Sequence, residues 1–198
     1  MIGVILCGGQ STRMGSDKGL MQYKSLTLSE LVISKLTGSV EHVVLSVNEQ
    51  QYVSYEKKFP ELAIVKDDMT IAVYGPLKGI LSVHLQYPAM DLLVLACDMI
   101  SMHTNVLEYL ITTCSIKKED AFVFQTNEHI EPLCAIYTAR GLTKIYQLYN
   151  QGQLKNNSMY CILKSIQTCY IPINQEWSNY FNNYNSPADL STLYNLEL

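Results

Sequence analysis

The feature that most constrains this chain is an apolar run that leads directly into a glycine-rich, cationic segment. Residues 2–7 read Ile-Gly-Val-Ile-Leu-Cys, and residues 8–19 read Gly-Gly-Gln-Ser-Thr-Arg-Met-Gly-Ser-Asp-Lys-Gly. The run is typical of a buried strand. The segment after it offers backbone N–H groups, hydroxyls and cations within a few residues, which is what a polyphosphate requires. Because open α/β sheets bind ligands at the carboxyl ends of their strands, we expect a phosphate-binding loop here.

Apolar runs alternate with helix-like segments through the first half of the chain. The patterns predict strands over residues 2–7, 42–47, 63–65 and 91–97, and helices over residues 27–36, 52–59 and 77–85. Residues 92–96 read Leu-Leu-Val-Leu-Ala without alternation, as is typical of a central parallel strand that is covered on both faces. The alternation predicts β-α-β units with right-handed crossovers, and therefore an α/β fold.

The second half of the chain is less regular. Its patterns predict helices over residues 104–113, 140–150, 154–164 and 187–196, and strands over residues 121–125, 132–137 and 166–171. Ser186 is the expected N-cap of the helix over 187–196, and Pro187 is its first residue. Because the chain has no repeat, low-complexity tract or linker, we expect residues 1–198 to form one three-layer α/β domain.

Composition and charge exclude several classes of partner and compartment. The 198 residues are 48% apolar and 16% charged, which is typical of a globular chain. A net charge of −4 argues against a nucleic-acid or anionic-membrane partner, since both need a basic surface. None of the six cysteines forms a Cys-x-x-Cys pair, and scattered thiols suit a reducing cytoplasm. The first apolar run is too short for a signal peptide, and no run approaches the roughly 18 residues of a transmembrane helix.

The glycine-rich segment lacks the spacing of the two common phosphate loops, namely Gly-x-x-x-x-Gly-Lys-Ser/Thr and Gly-x-Gly-x-x-Gly. It resembles the Gly-Gly-x-Ser-x-Arg-Met-Gly-x-Asp-Lys loop of nucleotidyltransferases, and within them most closely the molybdenum cofactor guanylyltransferases. The resemblance implies a three-layer α/β/α, Rossmann-like (GT-A-like) fold with a mostly parallel mixed sheet. It also implies that Arg13 and Lys18 are catalytic and neutralise the β- and γ-phosphates of the nucleotide. The first strand and loop would contribute nucleotide-binding residues: Leu6, Cys7, Gly8, Gly9, Gly15 and Lys18.

The order Leu6-Cys7-Gly8-Gly9 bears on which base is bound. Cytidylyl- and uridylyltransferases of the same superfamily typically read Leu-Ala-Ala-Gly at this point. The glycine at position 8 is similar to that of the guanylyl members, and removing a methyl group beside the base leaves room for a purine amine. The resemblance therefore favours GTP as the nucleotide.

Asp98 directly follows the central strand and is the second candidate for chemistry. A carboxylate at such a strand end is poorly solvated unless it binds a cation, and Mg²⁺ on a nucleoside triphosphate is one such cation. The alternative is that Asp98 is an N-cap or turn residue. The segment resembles the family's Cys-Asp-Met-Pro, although Ile100 replaces the proline. The resemblance implies a catalytic, Mg²⁺-binding role for Asp98.

Residues 65–79 contain a pair of aspartates and then Gly-Pro-Leu-Lys-Gly. This segment is similar to the family's Glu-Asp, loop and Gly-Pro-Leu-x-Gly, which surround the guanine and ribose. Asp67 is the better candidate for the base or ribose contact, and Asp68 is its competitor. A carboxylate accepts from both the ring N–H and the amine of guanine, whereas cytosine offers only an amine. The other nucleotide-binding candidates of this segment are Gly75, Pro76, Leu77 and Gly79.

The chain ends in a segment that resembles the family's Phe-x-Asn-x-Asn-Thr-Pro-Glu-Glu-Leu, which implies that Asn183 and Asn185 bind the acceptor. The implied reaction transfers GMP from GTP to molybdopterin and releases pyrophosphate. Molybdoenzymes or their chaperones are the implied protein partners. Two alternatives stay open: a cytidylyl- or sugar-phosphate nucleotidyltransferase of the same superfamily, and a nucleotide-binding module without turnover.

Overall fold

The computed structural model of the chain describes residues 1–8, 17–154, 156–182, 184 and 189. The strands are β1 (Ile2–Leu6), β2 (Gln22–Tyr23), β3 (Leu26–Thr27), β4 (Val43–Val47), β5 (Ala63–Lys66), β6 (Leu92–Ala96), β7 (Ala121–Gln125), β8 (Ile130–Tyr137) and β9 (Thr168–Pro172). The α-helices are α1 (Leu28–Leu36), α2 (Tyr52–Lys58), α3 (Pro76–Gln86), α4 (Thr104–Ile116), α5 (Ala139–Asn150) and α6 (Met159–Lys164). Lys18–Leu20 and Gln175–Phe181 form 3₁₀ helices. The predicted helix over 187–196 lies outside the described residues except for residue 189.

Seven of the strands form one mixed sheet in the order β5-β4-β1-β6-β8-β7-β9. Within it β8 runs antiparallel to both of its neighbours, and the other pairings are parallel. Strands β2 and β3 form a separate antiparallel pair. The predicted three-layer α/β architecture with a mostly parallel mixed sheet is therefore confirmed.

Helices cover both faces of the sheet. Helices α1, α2 and α4 pack on one face, where Val32, Tyr55 and Leu107 are buried. Helices α3, α5 and α6 pack on the other, where Ile80 and Ile145 are buried. Successive residues of β1 enter opposite cores, and every residue of β1, β4 and β6 is buried. The continuous apolar runs of these strands are explained by this two-sided burial.

The register of the central strands aligns their carboxyl ends. Leu6 at the end of β1 pairs with Ser46 of β4 and with Ala96 of β6. Because the three strands are parallel, the segments that follow them emerge at one edge of the sheet. This edge carries the candidate site.

Two element boundaries differ from the sequence prediction for local reasons. The helix predicted over 154–164 begins only at Met159, because Ser158 caps it and Asn156 Oδ1 accepts the Ser158 N–H at 2.9 Å. Such side chain to backbone bonds compete with helix formation. Strand β8 begins before its predicted start at residue 132, because the ladder with β7 shifts register between Val123 and Phe124 and accommodates Pro132.

Within the part of the chain that the structure describes, no helix is long and apolar enough to cross a membrane. All six cysteines have free thiols, and three of them, Cys7, Cys97 and Cys134, are buried.

A buried carboxylate stabilises the edge of the sheet that lies opposite the candidate site. Asp120 precedes β7, and its side chain is only 1% exposed. Arg140 Nε donates to it at 2.8 Å, Lys144 Nζ at 2.7 Å and the Gln167 N–H at 3.1 Å. Burial alone would raise the pKa of Asp120, but the hydrogen bonds from Lys144, Gln167 and Arg140 outweigh it and hold the pKa below its ordinary value.

We expect Asp120→Asn to lower the free energy of unfolding by about 2 kcal/mol at neutral pH, because charge-assisted hydrogen bonds are lost in a buried position. Since the folded pKa is lowered, this stabilisation is present above the unfolded pKa of about 4 and is lost as pH falls through the folded value. Denaturant unfolding of both proteins as a function of pH measures the difference. The exposed Glu108→Gln is the control, and a difference that persists undiminished at low pH would contradict the assignment.

Candidate nucleotide site

A cleft of about 720 Å³ lies at the carboxyl edge of β1, β4 and β5. One wall is formed by the end of β1 and the segment after β4, and the other by the segment between β5 and α3 together with the first turn of α3. The lining residues are Leu6, Gly8, Ser46, Asn48, Glu49, Gln50, Asp67, Met69, Tyr74, Gly75, Pro76, Lys78 and Gly79. Its size suits a nucleoside or a larger ligand.

Six of the residues predicted to bind nucleotide line this cleft, namely Leu6, Gly8, Asp67, Gly75, Pro76 and Gly79. Two others do not. The Cys7 side chain lies in the core beneath β1, with its Sγ 3.7 Å from the Ile5 carbonyl. Leu77 is fully buried against the opposite face of the sheet. Both positions therefore shape the site through packing, and their proposed contact with nucleotide stays a prediction.

Gly8 contributes space to the cleft and not a backbone donor. Its N–H is already bonded to the Ser46 carbonyl at 3.2 Å. A methyl group at Gly8 would come within 3.6 Å of the Asn48 nitrogen, which is ordinary van der Waals contact. The fold would therefore tolerate alanine at position 8. Any requirement for glycine at this position would have to come from a bound ligand.

Gly79 has a different reason to lack a side chain. A Cβ at this position would lie 2.6 Å from Ser46 Oγ and 3.2 Å from Leu6 Cδ2. The first turn of α3 is thus pressed against the ends of β1 and β4. Gly75 precedes α3 with φ +75°, a conformation that favours glycine. These two glycines bring the start of α3 into the cleft wall.

The structure separates Asp67 from Asp68. Asp67 lines the cleft, and burial raises the pKa of its carboxyl, with Lys78 opposing that shift. Asp68 Oδ1 instead accepts from the Thr70 N–H at 2.7 Å and from the Thr70 hydroxyl at 2.6 Å, which closes a local turn. Of the two candidates, Asp67 is therefore the one placed for a ligand.

Lys18 and Asp98 meet beside the cleft. Lys18 Nζ donates to Asp98 Oδ2 at 2.6 Å, and their side chains are 22% and 10% exposed. Asp98 follows β6 and Lys18 follows the loop after β1, so the pair lies where the strand order reverses around β1. Two of the predicted catalytic residues are thus in contact.

The remaining predicted site residues, Gly9, Arg13, Gly15, Asn183 and Asn185, lie outside the described residues. Tyr184, which is described, donates its N–H to the Asp98 carbonyl at 3.4 Å. Its hydroxyl is 2.8 Å from Ser101 Oγ. Tyr184 therefore contacts the segment that carries Asp98.

The cleft wall that follows β4 was not among the predicted site residues. Asn48, Glu49 and Gln50 line the cleft, and Glu49 is paired with Lys66 Nζ at 3.0 Å. The signal was present in the sequence, because a polar run directly after a buried parallel strand must emerge at the ligand-binding edge. Met69 and Tyr74 on the facing wall are 75% and 84% exposed, and apolar side chains in an irregular segment carry no comparable signal.

The chemistry of Asp98 fits a magnesium ion. Among the described residues no three metal-ligating side chains are grouped, so a cage made wholly of protein is absent from that part of the chain. Mg²⁺ commonly takes one or two carboxylates and completes its shell with water and substrate phosphates. The buried oxygen of Asp98, already neutralised by an ammonium group, is a donor of that type.

Comparison with known proteins gives one family. The model of the MobA-like NTP transferase domain matches residues 3–167. A probable molybdenum cofactor guanylyltransferase of a Geobacillus species is 28% identical, and the match covers 98% of this chain and 97% of that protein. The molybdenum cofactor guanylyltransferase of Vibrio parahaemolyticus is 29% identical, with 98% of this chain and 95% of that protein covered.

Solved structures share the fold. Molybdopterin-guanine dinucleotide biosynthesis protein A from Archaeoglobus fulgidus superposes with a TM-score of 0.80 at 22% identity, over 99% of this chain and 98% of that one. A 4-diphosphocytidyl-2C-methyl-D-erythritol synthase from Anaerococcus prevotii gives a TM-score of 0.72 at 7% identity, over 100% of this chain and 96% of that one. With the family model matched over most of its length, this chain belongs to the MobA-like NTP transferase family.

Proposed function

We propose that this chain transfers the GMP group of GTP to the terminal phosphate of molybdopterin and releases pyrophosphate. The observation that carries the proposal is the juxtaposition of a base-sized cleft containing Asp67 with the Lys18–Asp98 pair. The names of the relatives from Geobacillus and Vibrio support the same reaction. Delivery of the product to a molybdoenzyme or its chaperone stays a prediction from the resemblance.

The reaction requires positioning and charge neutralisation more than proton transfer. A phosphate oxygen of the acceptor attacks the α-phosphorus of GTP, the bond from that phosphorus to the bridging oxygen of the β-phosphate breaks, and pyrophosphate leaves with the electron pair. The acceptor oxygen is already ionised, so no general base is needed. Lys18 lies at the carboxyl edge of β1 and supplies a positive charge for the departing phosphates.

Asp98 would hold Mg²⁺ through its carboxylate. When bound, the ion supplies positive charge at phosphate oxygens and makes the α-phosphorus more electrophilic. The Lys18 ammonium lies 2.6 Å from Asp98 Oδ2, so the two opposite charges are paired where both side chains are mostly shielded from water. Lys18 and Asp98 thus place one cation and one cation-binding anion at the same point of the sheet.

Asp67 would select guanine. Its carboxylate lies in the cleft and can accept from the N1–H and the N2 amine of guanine at the same time. Gly8, exposed on the opposite wall, leaves room beside the base. Adenine, which has no N1–H donor, and cytosine, which offers only an amine, would satisfy this carboxylate less well.

The direct experiment incubates the protein with Mg²⁺, molybdopterin and one labelled triphosphate at a time. We expect the dinucleotide and pyrophosphate to form with GTP. Product formed from CTP in preference to GTP would identify a cytidylyltransferase. GTP binding without any pyrophosphate release would identify a nucleotide-binding module, and either result would overturn the proposal.

We expect Asp98→Asn to lower the rate of transfer by at least about a hundredfold, because it removes the charged metal ligand and leaves Lys18 without its partner carboxylate. The rate is followed as pyrophosphate release. Binding of Mn²⁺ in the presence of GTP, followed by electron paramagnetic resonance, gives a readout that does not need turnover. Unchanged Mn²⁺ binding in the folded variant would refute the metal-binding role.

We expect Asp67→Asn to weaken GTP binding by roughly tenfold or more, because one charge-assisted hydrogen bond is lost. Inosine triphosphate lacks the N2 amine, so the preference of the wild type for GTP over it should shrink in the variant. Asp68→Asn is the matched control, since the new amide oxygen can still accept from Thr70. Isothermal titration calorimetry of the three proteins with both nucleotides measures the preferences, and equal effects of the two substitutions would contradict the assignment.

Comparison of the wild type with Asp67→Asn also gives a pH test. Burial raises the pKa of Asp67, and only the ionised carboxylate accepts two hydrogen bonds. GTP affinity should therefore fall as pH is lowered through this raised pKa, and Asp67→Asn should lack that component. Titration of the GTP phosphates is common to both proteins and cancels in the comparison. Parallel pH profiles would show that Asp67 does not contact the base.

A further inference from the structure

The Gln51 side chain lies at a junction that the proposed nucleotide contacts do not use. Its amide nitrogen donates one hydrogen to the Cys7 carbonyl at 3.0 Å and the other to Asp17 Oδ2 at 2.7 Å. Cys7 is the residue after β1, and Asp17 is the residue before Lys18. One amide group therefore joins the two points at which the chain enters and leaves the glycine-rich segment.

The orientation of this amide is determined by its third contact. Gln51 Oε1 accepts the Asn48 N–H at 3.1 Å, and Asn48 Oδ1 in return accepts the Gln51 N–H at 3.0 Å. With the oxygen engaged in this way, both hydrogens of the amide nitrogen must point towards Cys7 and Asp17. The reciprocal pair also ties Gln51 to the cleft wall that Asn48 forms.

Each oxygen of Asp17 has a separate task. Oδ2 accepts from Gln51, while Oδ1 accepts from the Tyr55 hydroxyl at 2.9 Å and from the Gly19 N–H at 3.0 Å. Burial raises the pKa of Tyr55, so its hydroxyl keeps the proton that it donates. A Cβ at Gly19 would lie 2.1 Å from the Tyr55 oxygen, which shows how closely the chain packs here.

We propose that Gln51 is a positioning residue of the nucleotide site, which acts through Asp17 to hold Lys18 against Asp98. The inference rests on the proposed function, because it assigns Gln51 to the phosphate-binding half of that site. Asp17 and Lys18 are adjacent, and a carboxylate anchored on three sides leaves the lysine backbone little freedom. Lys18 then reaches Asp98 at 2.6 Å without first ordering its own main chain.

A purely structural role for Gln51 would have a different signature. Gln51 is half-buried, precedes α2 and belongs to neither hydrophobic core, so an isosteric replacement creates no cavity. Its loss should therefore be felt in nucleotide affinity much more than in thermal stability. The hydrogen-bond pattern also permits a swap of amide and carboxylate, because Asp17 Oδ2 accepts one of the two amide hydrogens of Gln51.

The experiment compares Gln51→Glu, Asp17→Asn and the double variant by calorimetric titration with GTP and Mg²⁺. Gln51→Glu places an anion against Asp17 and the Cys7 carbonyl, and Asp17→Asn places an amide against the Gln51 amide. We expect each to weaken GTP binding about tenfold or more. In the double variant, the amide introduced at position 17 donates to the carboxylate introduced at position 51, so we expect GTP affinity closer to wild type than in either single variant.

One control variant and one further variant of Gln51 separate positioning from general damage. Gln147→Glu adds the same charge on the exposed side of α5 and should leave GTP affinity unchanged. Gln51→Met keeps the size of the side chain without charge, and should also weaken GTP binding, which covers the case in which Gln51→Glu does not fold. In steady state with molybdopterin, each Gln51 variant should lower kcat as well as raise KM for GTP, because Lys18 acts on the departing phosphates.

The outcomes are distinct. If wild-type protein binds GTP but Gln51→Met binds it equally well, the positioning role is wrong while the proposed function stands. If both single variants weaken binding and the double variant shows no recovery, the route through Asp17 is wrong. If thermal stability falls in every Gln51 variant while GTP affinity is unchanged, the residue is structural. If wild-type protein binds no GTP, the proposed function itself fails.

Discussion

The parallel pairing of β1 with β4 on one side and β6 on the other is the constraint on which the site depends. Leu6 is in register with both Ser46 and Ala96, so three strands end at the same height. Gly8 after β1, the polar run after β4 and Asp98 after β6 therefore emerge at the same edge of the sheet. Because all three strands are buried on both faces, a slip in register would disrupt the packing of both cores, and the edge geometry is therefore held by the whole core.

The two halves of the site differ in their electrostatics. The base cleft is half-buried and contains a carboxylate whose pKa burial raises, so it favours a ligand that donates hydrogen bonds. The phosphate side instead pairs opposite charges, with Lys18 on Asp98. A net charge of −4 does not exclude a polyphosphate ligand, because a cation such as Lys18 acts locally and the sign of the whole molecule does not decide the matter.

The sequence was sufficient for the features that depend on long patterns or on several residues at fixed spacing. The alternation of apolar runs predicted the layers, and the resemblance of the segment with Asp67, Gly75, Pro76 and Gly79 to a family motif predicted one cleft wall. The features it missed depend on a tertiary contact in one case and on a local hydrogen bond in the other. Leu77 belongs to the same motif but faces the core, because α3 packs against the sheet and must bury one of its sides. The late start of α6 depends on the competing hydrogen bond of Asn156. The apolar period of residues 77–85 places Leu77 on the buried side of the helix, whereas no sequence period reports the hydrogen bond of Asn156.

The glycines show why a motif does not by itself separate structure from function. Gly79 and Gly19 are demanded by the protein, since a Cβ would strike Ser46 at 2.6 Å in one case and Tyr55 at 2.1 Å in the other. Gly8 meets nothing closer than 3.6 Å, and its N–H is already bonded to the Ser46 carbonyl. A family can keep the first two for packing whatever nucleotide it binds. Position 8 is the one of the three whose side chain the fold leaves free to differ between nucleotide specificities, and it lines the cleft in which Asp67 lies.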